Sequence, residues 1–458
     1  MEKLVAELKV QLEHQQAEIT ELKAENAQLR AENAELKEKL AQYENPKNSN
    51  NSSIPPSQDP HRKKYPKKEK SGLPVGGQKG HPGSHHPWNH TPNEIIPLHP
   101  EVCSHCQSQD LIQLPESVEA RQEITIPPIQ AHVREYQTHQ GICRKCGKRS
   151  TGVFPEHIKG LVQMGPDIDS LVGYFKGLGH LSHGKIARFF QEILHISISS
   201  GGIQDCLKRL SSRTEPLYEQ LIEYCRNQAV LHSDETSSKV KQERIYFWTF
   251  VTQFVCVFVS DKSRGFKVIQ RIIGDTFKGK WVSDRYAAQL KIIALHQLCL
   301  AHLIRDFQYL MDCETSTWAQ LCQSLLKYAI HTRNQAGGEW EPQIPAIKQT
   351  ILEISEQWDA LFAEPPPTEK AKKLFKQLSK RKHQLFLFLE CPDVPPTNNL
   401  AESALRSYAI HRRINGGFKS HKGAKDHAIL QSIIETARRQ GKDILQVLSL
   451  KMPLNLAS

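Results

Sequence analysis

Long apolar runs are missing from this chain. Nowhere in its 458 residues does an uninterrupted apolar stretch approach the roughly 18 positions that a membrane-spanning helix requires. The charged opening, MEKLVAELK, lacks the apolar segment of a secretory signal, so a cytoplasmic protein is expected. A disulfide framework is missing too. Of 11 cysteines, four make two Cys-x2-Cys pairs and the other seven are scattered, a usage that suits a reducing compartment. Acid is not in excess: 60 Lys and Arg face 49 Asp and Glu. At this length a single core is excluded, and two to four domains are expected.

The basic surplus is concentrated in two places. From Pro46 to Gly80 stand Lys47, Arg62, Lys63, Lys64, Lys67, Lys68, Lys70 and Lys79 against Asp59 and Glu69. From Arg406 to Lys425 six basic residues face no acid. Such patches suit a polyanion, with solvated surface as the plain alternative. Lys63, Lys64, Lys67 and Lys68 in the first patch, and Arg412, Arg413, Lys419, Lys422 and Lys425 in the second, are the candidate contacts to a DNA backbone.

Residues 1–45 carry a heptad repeat. One seam position holds Val5, Leu12, Ile19, Asn26, Asn33 and Leu40, and the other holds Leu8, Gln15, Leu22, Leu29, Leu36 and Tyr43. Glu18, Glu25 and Glu32 stand five residues before Lys23, Arg30 and Lys37, the offset that pairs parallel helices. The pattern predicts a parallel coiled-coil homodimer. Residues 46–96, rich in Asn, Ser, Pro, Gly and Lys, read as a flexible basic linker.

Residues 97–160 hold Cys103-x2-Cys106 and, after 36 intervening residues, Cys143-x2-Cys146. Four thiolates so spaced suit a tetrahedral structural Zn²⁺ that staples a small ribbon of strands and loops. The segments EITIPPIQAHVREYQTHQG and GVFPEHI read as its strands and loops, and the nearby His99 and His105 as surface residues. Residues 161–227 are predicted helical, with a turn near His195–Ser197 and a helix opened by Ser199 and Ser200. That is a candidate helix-turn-helix DNA-binding module, though ordinary helical packing gives the same pattern.

From residue 228 the apolar period shortens toward two. AVLHSD, RIYFWTFVT and FVCVFVSD read as strands, GFKVIQRIIG as a short helix, KGKWVSD as a fourth strand and AAQLKIIALHQLCLAHLIRDFQYL as a long helix. Three strands at hairpin spacing, then helix, strand and helix, is the order of an RNase H-like sheet, in which the first and fourth strands are neighbours. Asp234 and Asp284 would then end adjacent strands. Residues 313–394 read as a helical insertion. In 395–458, DVPPTNNLAES ends one element and begins another, with Thr397 or Asn398 as cap and Glu402 in the first turns. The predicted fold is multidomain α/β, with an RNase H-like core (228–312 and 395–458) behind a coiled coil, a zinc ribbon and a helical module.

Asp234, Asp284 and Glu402 are therefore the candidate catalytic triad. Clustered carboxylates repel one another and take up protons unless a cation neutralises them. Hard oxygen ligands select Mg²⁺ or Mn²⁺, and two such ions serve in-line attack on a phosphodiester. Glu235 adjoins Asp234 but points to the other face of a strand. His296, Cys299 and His302 recur at threes, but on a helix 296 and 302 diverge, which disfavours a metal there.

The motifs HSDET, VSDRY, CLAHLIRDF, TNNLAES and GGFKSHKGAKDHAILQSIIETARRQG, with NSNNSSIPPS and GGQKGHPG upstream, resemble the insertion sequence 66 family of bacterial DDE transposases. The likeness covers nearly the whole chain and departs from the family pattern at Arg285, Leu300 and Ser403. It implies a DNA transposase with Asp234, Asp284 and Glu402 as the triad. His302 and Arg305 belong to the family's Cys-x2-His helix, and Asn399 would support the site. It further implies two Mg²⁺ or Mn²⁺ ions, inverted-repeat and target DNA as partners, accessory proteins of the same element and a nucleoid-associated location. A DNA-binding dimer without catalysis and an RNase H-like nuclease are the alternatives that the residues leave open.

Overall fold

The computed structural model of the protein describes residues 2–52, 59–60, 80, 82, 86–115, 119–127 and 129–456. Lys63, Lys64, Lys67 and Lys68 lie outside the described residues. Two compact units are present. One comprises Met1–Arg62, Tyr136–Gln191 and Ser197–Ser458, and the other Lys63–Glu135 and Glu192–Ile196. Among the described residues no helix is long and apolar enough to cross a membrane.

The heptad segment forms one helix, α1 (Glu2–Glu44), and its seam residues Ile19, Leu22, Leu29, Leu36, Leu40 and Tyr43 are exposed in the single chain. The start of the expected flexible linker is not free. Asn48 N–H donates to Asn51 Oδ1 (2.8 Å), Ser52 Oγ donates to the Asn48 carbonyl (2.6 Å), and Asn51 and Ser52 are buried. These side chains satisfy the turn's own backbone, which lets polar residues fold against the protein.

Each cysteine pair sits on its own tight turn. Cys103 N–H donates to the Ser108 carbonyl and Gln107 N–H to the Cys103 carbonyl; Cys143 N–H donates to Lys148 and Gly147 N–H to Cys143. The fifth residue of each turn, Gln107 or Gly147, adopts positive φ (63° and 67°). The second turn is flanked by the antiparallel strands β1 (Gln140–Ile142) and β2 (Arg149–Thr151). Of the strands and loops expected over Glu123–Gly141, the described residues of Glu123–His139 are loop, and a strand begins only at Gln140.

Three helices follow: α2 (Pro166–Gly177), α3 (His183–Ile193) and α4 (Ser200–Arg226). Ser199 caps α4, its hydroxyl accepting from Gly202 N–H at 3.0 Å. A mixed sheet comes next, built from β3 (Val230–Val240), β4 (Glu243–Val251), β5 (Cys256–Asp261), β6 (Thr276–Ser283) and β7 (Ile293–Leu298), with α5 (Lys267–Ile272) between β5 and β6. The order is β5-β4-β3-β6-β7, with β3–β5 antiparallel and β6 and β7 parallel to β3. The first and fourth strands are neighbours, as expected. Residues 293–298, read from sequence as helix, instead form the edge strand β7: its backbone pairs with β6, a non-local gain that helical periodicity does not register.

Beyond β7 run α6 (Leu300–Glu314), α7 (Thr317–Ala336), α8 (Pro345–Leu361), α9 (Glu369–Leu378) and α10 (Lys382–Glu390), whose apolar faces close around Phe307, Leu326, Trp358 and Phe388. The chain returns to the sheet through α11 (Asn399–Asn415), α12 (His421–Arg439) and α13 (Ile444–Leu448). Ala401, Ala404 and Tyr408 of α11 and Ala424 and Ala428 of α12 pack on Phe247 and Phe258 of the sheet. At the β5 edge the N–H groups of Cys256 and Phe258 donate to Thr436 and Ser432 hydroxyls of α12, at 3.0 and 2.8 Å. A helix thereby covers a strand edge that otherwise invites pairing. Helix α4 packs against α2, α12 and β5 with Ile203, Cys206, Leu210, Leu221 and Cys225 buried. The second helix of the expected DNA-binding module is thus part of the core.

Candidate active site

Strands β3 and β6 pair in parallel from Val230↔Lys280 to His232↔Val282. The same register carried two residues further sets Asp284 opposite Asp234. Asp234 Oδ1 accepts from Glu235 N–H at 2.8 Å, and Asp284 Oδ1 accepts from Tyr286 N–H at 2.9 Å. Burial, followed by the negative charges of Asp284, Glu235 and Glu402, holds the Asp234 carboxyl well above the usual range. Two acids distant in sequence thus act electrostatically on Asp234.

Glu402 lies in the first turn of α11, and Asn398 fixes where that helix starts. Asn398 is 1% exposed. Its Nδ2 donates to the Ser233 carbonyl of β3 (2.9 Å), its Oδ1 meets His232 Nδ1 (3.0 Å), and its backbone N–H points at Cys299 Sγ (3.2 Å). Because Oδ1 only accepts, the His232 proton sits on Nδ1; burial lowers that ring to about 4 and keeps it neutral. Next to it, Leu300 N–H donates to the Pro396 carbonyl (3.0 Å) and Cys299 N–H to the Ser283 carbonyl (2.8 Å). The residue before each aspartate and the start of α11 are therefore tied together. Asn398 occupies the cap position without capping, because its side chain is committed to the sheet. Asn399, expected to support the site, is exposed to solvent instead.

Helix α6 supplies the other wall. Glu402 Oε1 lies 3.9 Å from His302 Nδ1 and 4.0 Å from Cys299 Sγ, and among the described residues this Cys-His-Glu group is the one set of three ligand types close enough to share an ion. Burial pushes the Cys299 thiol up to about 11. His302 Nδ1 is buried with no hydrogen-bond partner. Arg285, next to Asp284, ion-pairs with Asp306 of α6 and donates to Gln377 Oε1 of α9 (3.0 Å), which joins the loop after Asp284 to the helical layer. Arg305 is half-buried on α6, and its charge is felt at Asp306.

Glu235, set aside on sequence grounds, is buried on the opposite face and holds that loop from below. It pairs with Arg264 (2.6 Å) and accepts from Gln289 Nε2 (3.1 Å), while Arg264 lies over the Tyr286 ring at 3.9 Å. Gln289 also reaches Ser233 Oγ (3.2 Å) and accepts from Trp281 Nε1 (3.2 Å). Burial first, then the charge of Asp284, raise the Glu235 carboxyl against the pull of Arg264. His296, on β7, bonds Ser283 Oγ at 2.8 Å, one residue before Asp284. Only long-range pairing reveals these roles; Asn398, Gln289 and Arg264 carry no local signal of them.

The remaining expected residues are dispersed. Arg412 donates to the Ser237 carbonyl, and Arg413, Lys419 and Lys422 are exposed. Lys425 is ion-paired with Glu215 at 2.7 Å. In the cysteine turns, backbone N–H groups of Cys106 and His105 lower the Cys103 thiol, and those of Cys146 and Lys145 lower Cys143. Both turns favour thiolates, the form that binds metal.

Residues 162–426 match the sequence profile described as the Transposase IS66 family, and residues 10–87 match that of a family of unknown function. The uncharacterized protein y4jO of Sinorhizobium fredii is 36% identical over 69 residues, 15% of this chain and 22% of its own length. The uncharacterized protein y4hP of the same organism is 25% identical over 395 residues, 74% of this chain and 68% of its own. The profile match spans the sheet, both aspartates, the helical insertion, α11 and the start of α12, so the chain belongs to the IS66 transposase family.

Proposed function

We propose that this protein is a DNA transposase that cleaves insertion-sequence ends and joins them to target DNA through Asp234, Asp284 and Glu402 on an RNase H-like core. The observation that carries the reading is the raised Asp234 carboxyl, pushed up first by burial and then by the charges of Asp284, Glu235 and, least, Glu402. Two acids distant in sequence, from the end of β6 and from α11, thus act on Asp234 of β3 together with its neighbour Glu235. They offer only hard oxygens, and such an acidic cluster calls for a divalent cation. Asp234, Asp284 and Glu402 would hold two Mg²⁺ or Mn²⁺. Bound there, the ions supply activation of a water or 3′-hydroxyl and stabilise the leaving oxygen.

The chain's own residues do the positioning. Asn398 sets the phase of α11 and hence of Glu402; Arg285, Glu235 and Gln289 hold the loop behind Asp284 from two sides. Cys299 Sγ makes one long hydrogen bond to Glu402 Oε1 (4.0 Å) and His302 stands 3.9 Å away without bonding it, a loose hold that lets the carboxylate turn toward the aspartates. Arg412, Arg413, Lys419 and Lys422 contact DNA phosphates in this reading. The α1 seam makes a parallel homodimer that brings two element ends together, and the two cysteine turns share one structural Zn²⁺.

The test is a supercoiled donor carrying the cognate inverted repeats, incubated with protein and Mg²⁺. Joined products that vanish with Asp234→Asn, Asp284→Asn and Glu402→Gln support the reading. Repeat-specific binding without cleavage by the intact protein would replace it with an end-binding dimer, and cleavage without joining would replace it with a nuclease.

A further inference from the structure

On the far side of α11 from Glu402 lies a cavity of about 220 Å³, lined by Lys176, His183, His411, Lys419, Ser420 and His427. That volume is below the roughly 300 Å³ at which pockets for drug-sized ligands begin, and it suits a small polar group. His411 is 2% exposed and His427 7%. Their ring centroids are 4.5 Å apart, and among the described residues no hydrogen bond is made by either ring, the His411 backbone carbonyl accepting from Asn415 Nδ2. Two imidazoles, buried as residues, thus stand on the cavity wall without a protein partner for their rings, and a ligand in the cavity could bond them.

The rest of the wall is rich in donors. Lys176 Nζ reaches Asn415 Oδ1 (2.7 Å) and the Leu181 carbonyl (3.2 Å), and an ammonium has a third N–H to give. The N-terminus of the 19-residue helix α12 opens here, with Ser420 Oγ accepting from Gly423 N–H at 3.0 Å. Its remaining first-turn N–H groups and the helix dipole favour an anion. Gly417 shapes the rim: at φ 129° its backbone passes so close that an added Cβ would meet the Lys239 carbonyl at 2.7 Å. One acid faces the cavity, Asp426, and its Oδ1 is engaged by Ser211 Oγ at 3.1 Å.

We propose that this cavity binds a phosphoryl group, and that in the DNA-bound protein the group is a backbone phosphate. The DNA source rests on the proposed function; the phosphoryl chemistry does not. Burial disfavours the charged form of the basic groups in and beside the cavity. Burial lowers Lys176 to about 8 and His411 to about 3, and it lowers His180, His183 and His427, with Lys176 and the neighbouring imidazoles adding to the effect for the histidines. A bound dianion reverses that balance, so binding takes up protons and strengthens as pH falls. His411 follows Glu402 by nine residues on α11, about 13 Å at 1.5 Å per residue. The exposed Lys419 on the rim, already a candidate contact to DNA, would bring backbone phosphates to this cavity.

The experiment titrates inorganic phosphate into the full chain by calorimetry at pH 6.5 and 8.0, in two buffers of different ionisation enthalpy. One phosphate per chain with proton uptake is expected, weakened at least about tenfold by Lys176→Met and by the exposed Lys419→Ala, whose melting temperature is checked alongside. Asp234→Asn leaves phosphate binding unchanged, which separates this site from the transposase reading. In the DNA arm, Lys419→Ala should reduce the salt slope of duplex binding by about one. An unchanged slope with phosphate binding intact overturns the backbone assignment in favour of free phosphate. Absence of binding at 20 mM phosphate, or binding indifferent to both variants, overturns the site.

Discussion

Replacing Asn398 by alanine tests how the third acid is positioned. The substitution removes the Nδ2 bond to the Ser233 carbonyl and the Oδ1 acceptor for His232. Both partners are buried, so each is left unsatisfied at about 1–3 kcal/mol, roughly 2–6 kcal/mol together. For a unit of this size, at about 2.1 cal/mol/K per residue, the lower bound lowers the melting midpoint by about 2–3 °C. The start of α11 also loses its tie to β3, and a displacement of about 1 Å in Glu402 costs on the order of 10²-fold in rate. Differential scanning fluorimetry with the donor-cleavage assay reads both effects. Asn398→Asp keeps an acceptor for His232 but sets a carboxylate against the Ser233 carbonyl, and it should fare no better than alanine. A midpoint within 1 °C of the parent, with cleavage intact, would show that Asn398 does not position Glu402.

Asp234→Asn should abolish cleavage yet stabilise the metal-free protein. A carboxyl raised in the folded state binds more protons there than in the unfolded chain, so its contribution to stability is present at low pH and lost as pH rises through the raised value. Above the ordinary carboxylate range in EDTA, the parent should therefore melt below the variant. Mg²⁺ at a hundred times its dissociation constant should stabilise the parent by about 2.7 kcal/mol and leave the variant unmoved; equal responses would count against the cluster. Leu22→Glu with Leu29→Glu puts charge into the α1 seam, and sedimentation should show the parent's dimer mass halved. An unchanged mass would place dimerisation elsewhere. Elemental analysis should find one zinc per chain, lost in Cys103→Ser and in Cys143→Ser alike; loss in only one would mean the two turns do not share an ion.

Patterns confined to neighbouring residues were readable from the sequence. The heptads of α1, the alternation in β3 to β5 and the paired cysteines each declare themselves within a few positions, and the hairpin order put Asp234 beside Asp284. What depended on distant pairing was not readable. Ile293–Leu298 became a strand because β6 lies beside it, and the exposure of Ile293 and Leu295 marks it as an edge. Asn398 and Asn399 are identical in chemistry, and only the phase of α11 decides which one turns inward. Ser199–Ser200 announced a helix start correctly, but whether α4 met DNA or α12 was set by a partner more than 200 residues away. Glu235 pointed away from Asp234 as strand alternation requires. Its role appeared only with Arg264 and Gln289 in place.

Crystals grown with Mn²⁺ and measured at the manganese edge give the most direct test of a shared carboxylate centre. Anomalous peaks should lie between Asp234 and Asp284, with Glu402 turned from Cys299 and His302 to complete the ligands. A peak confined to Cys299, His302 and Glu402, with none at the aspartates, would contradict the triad.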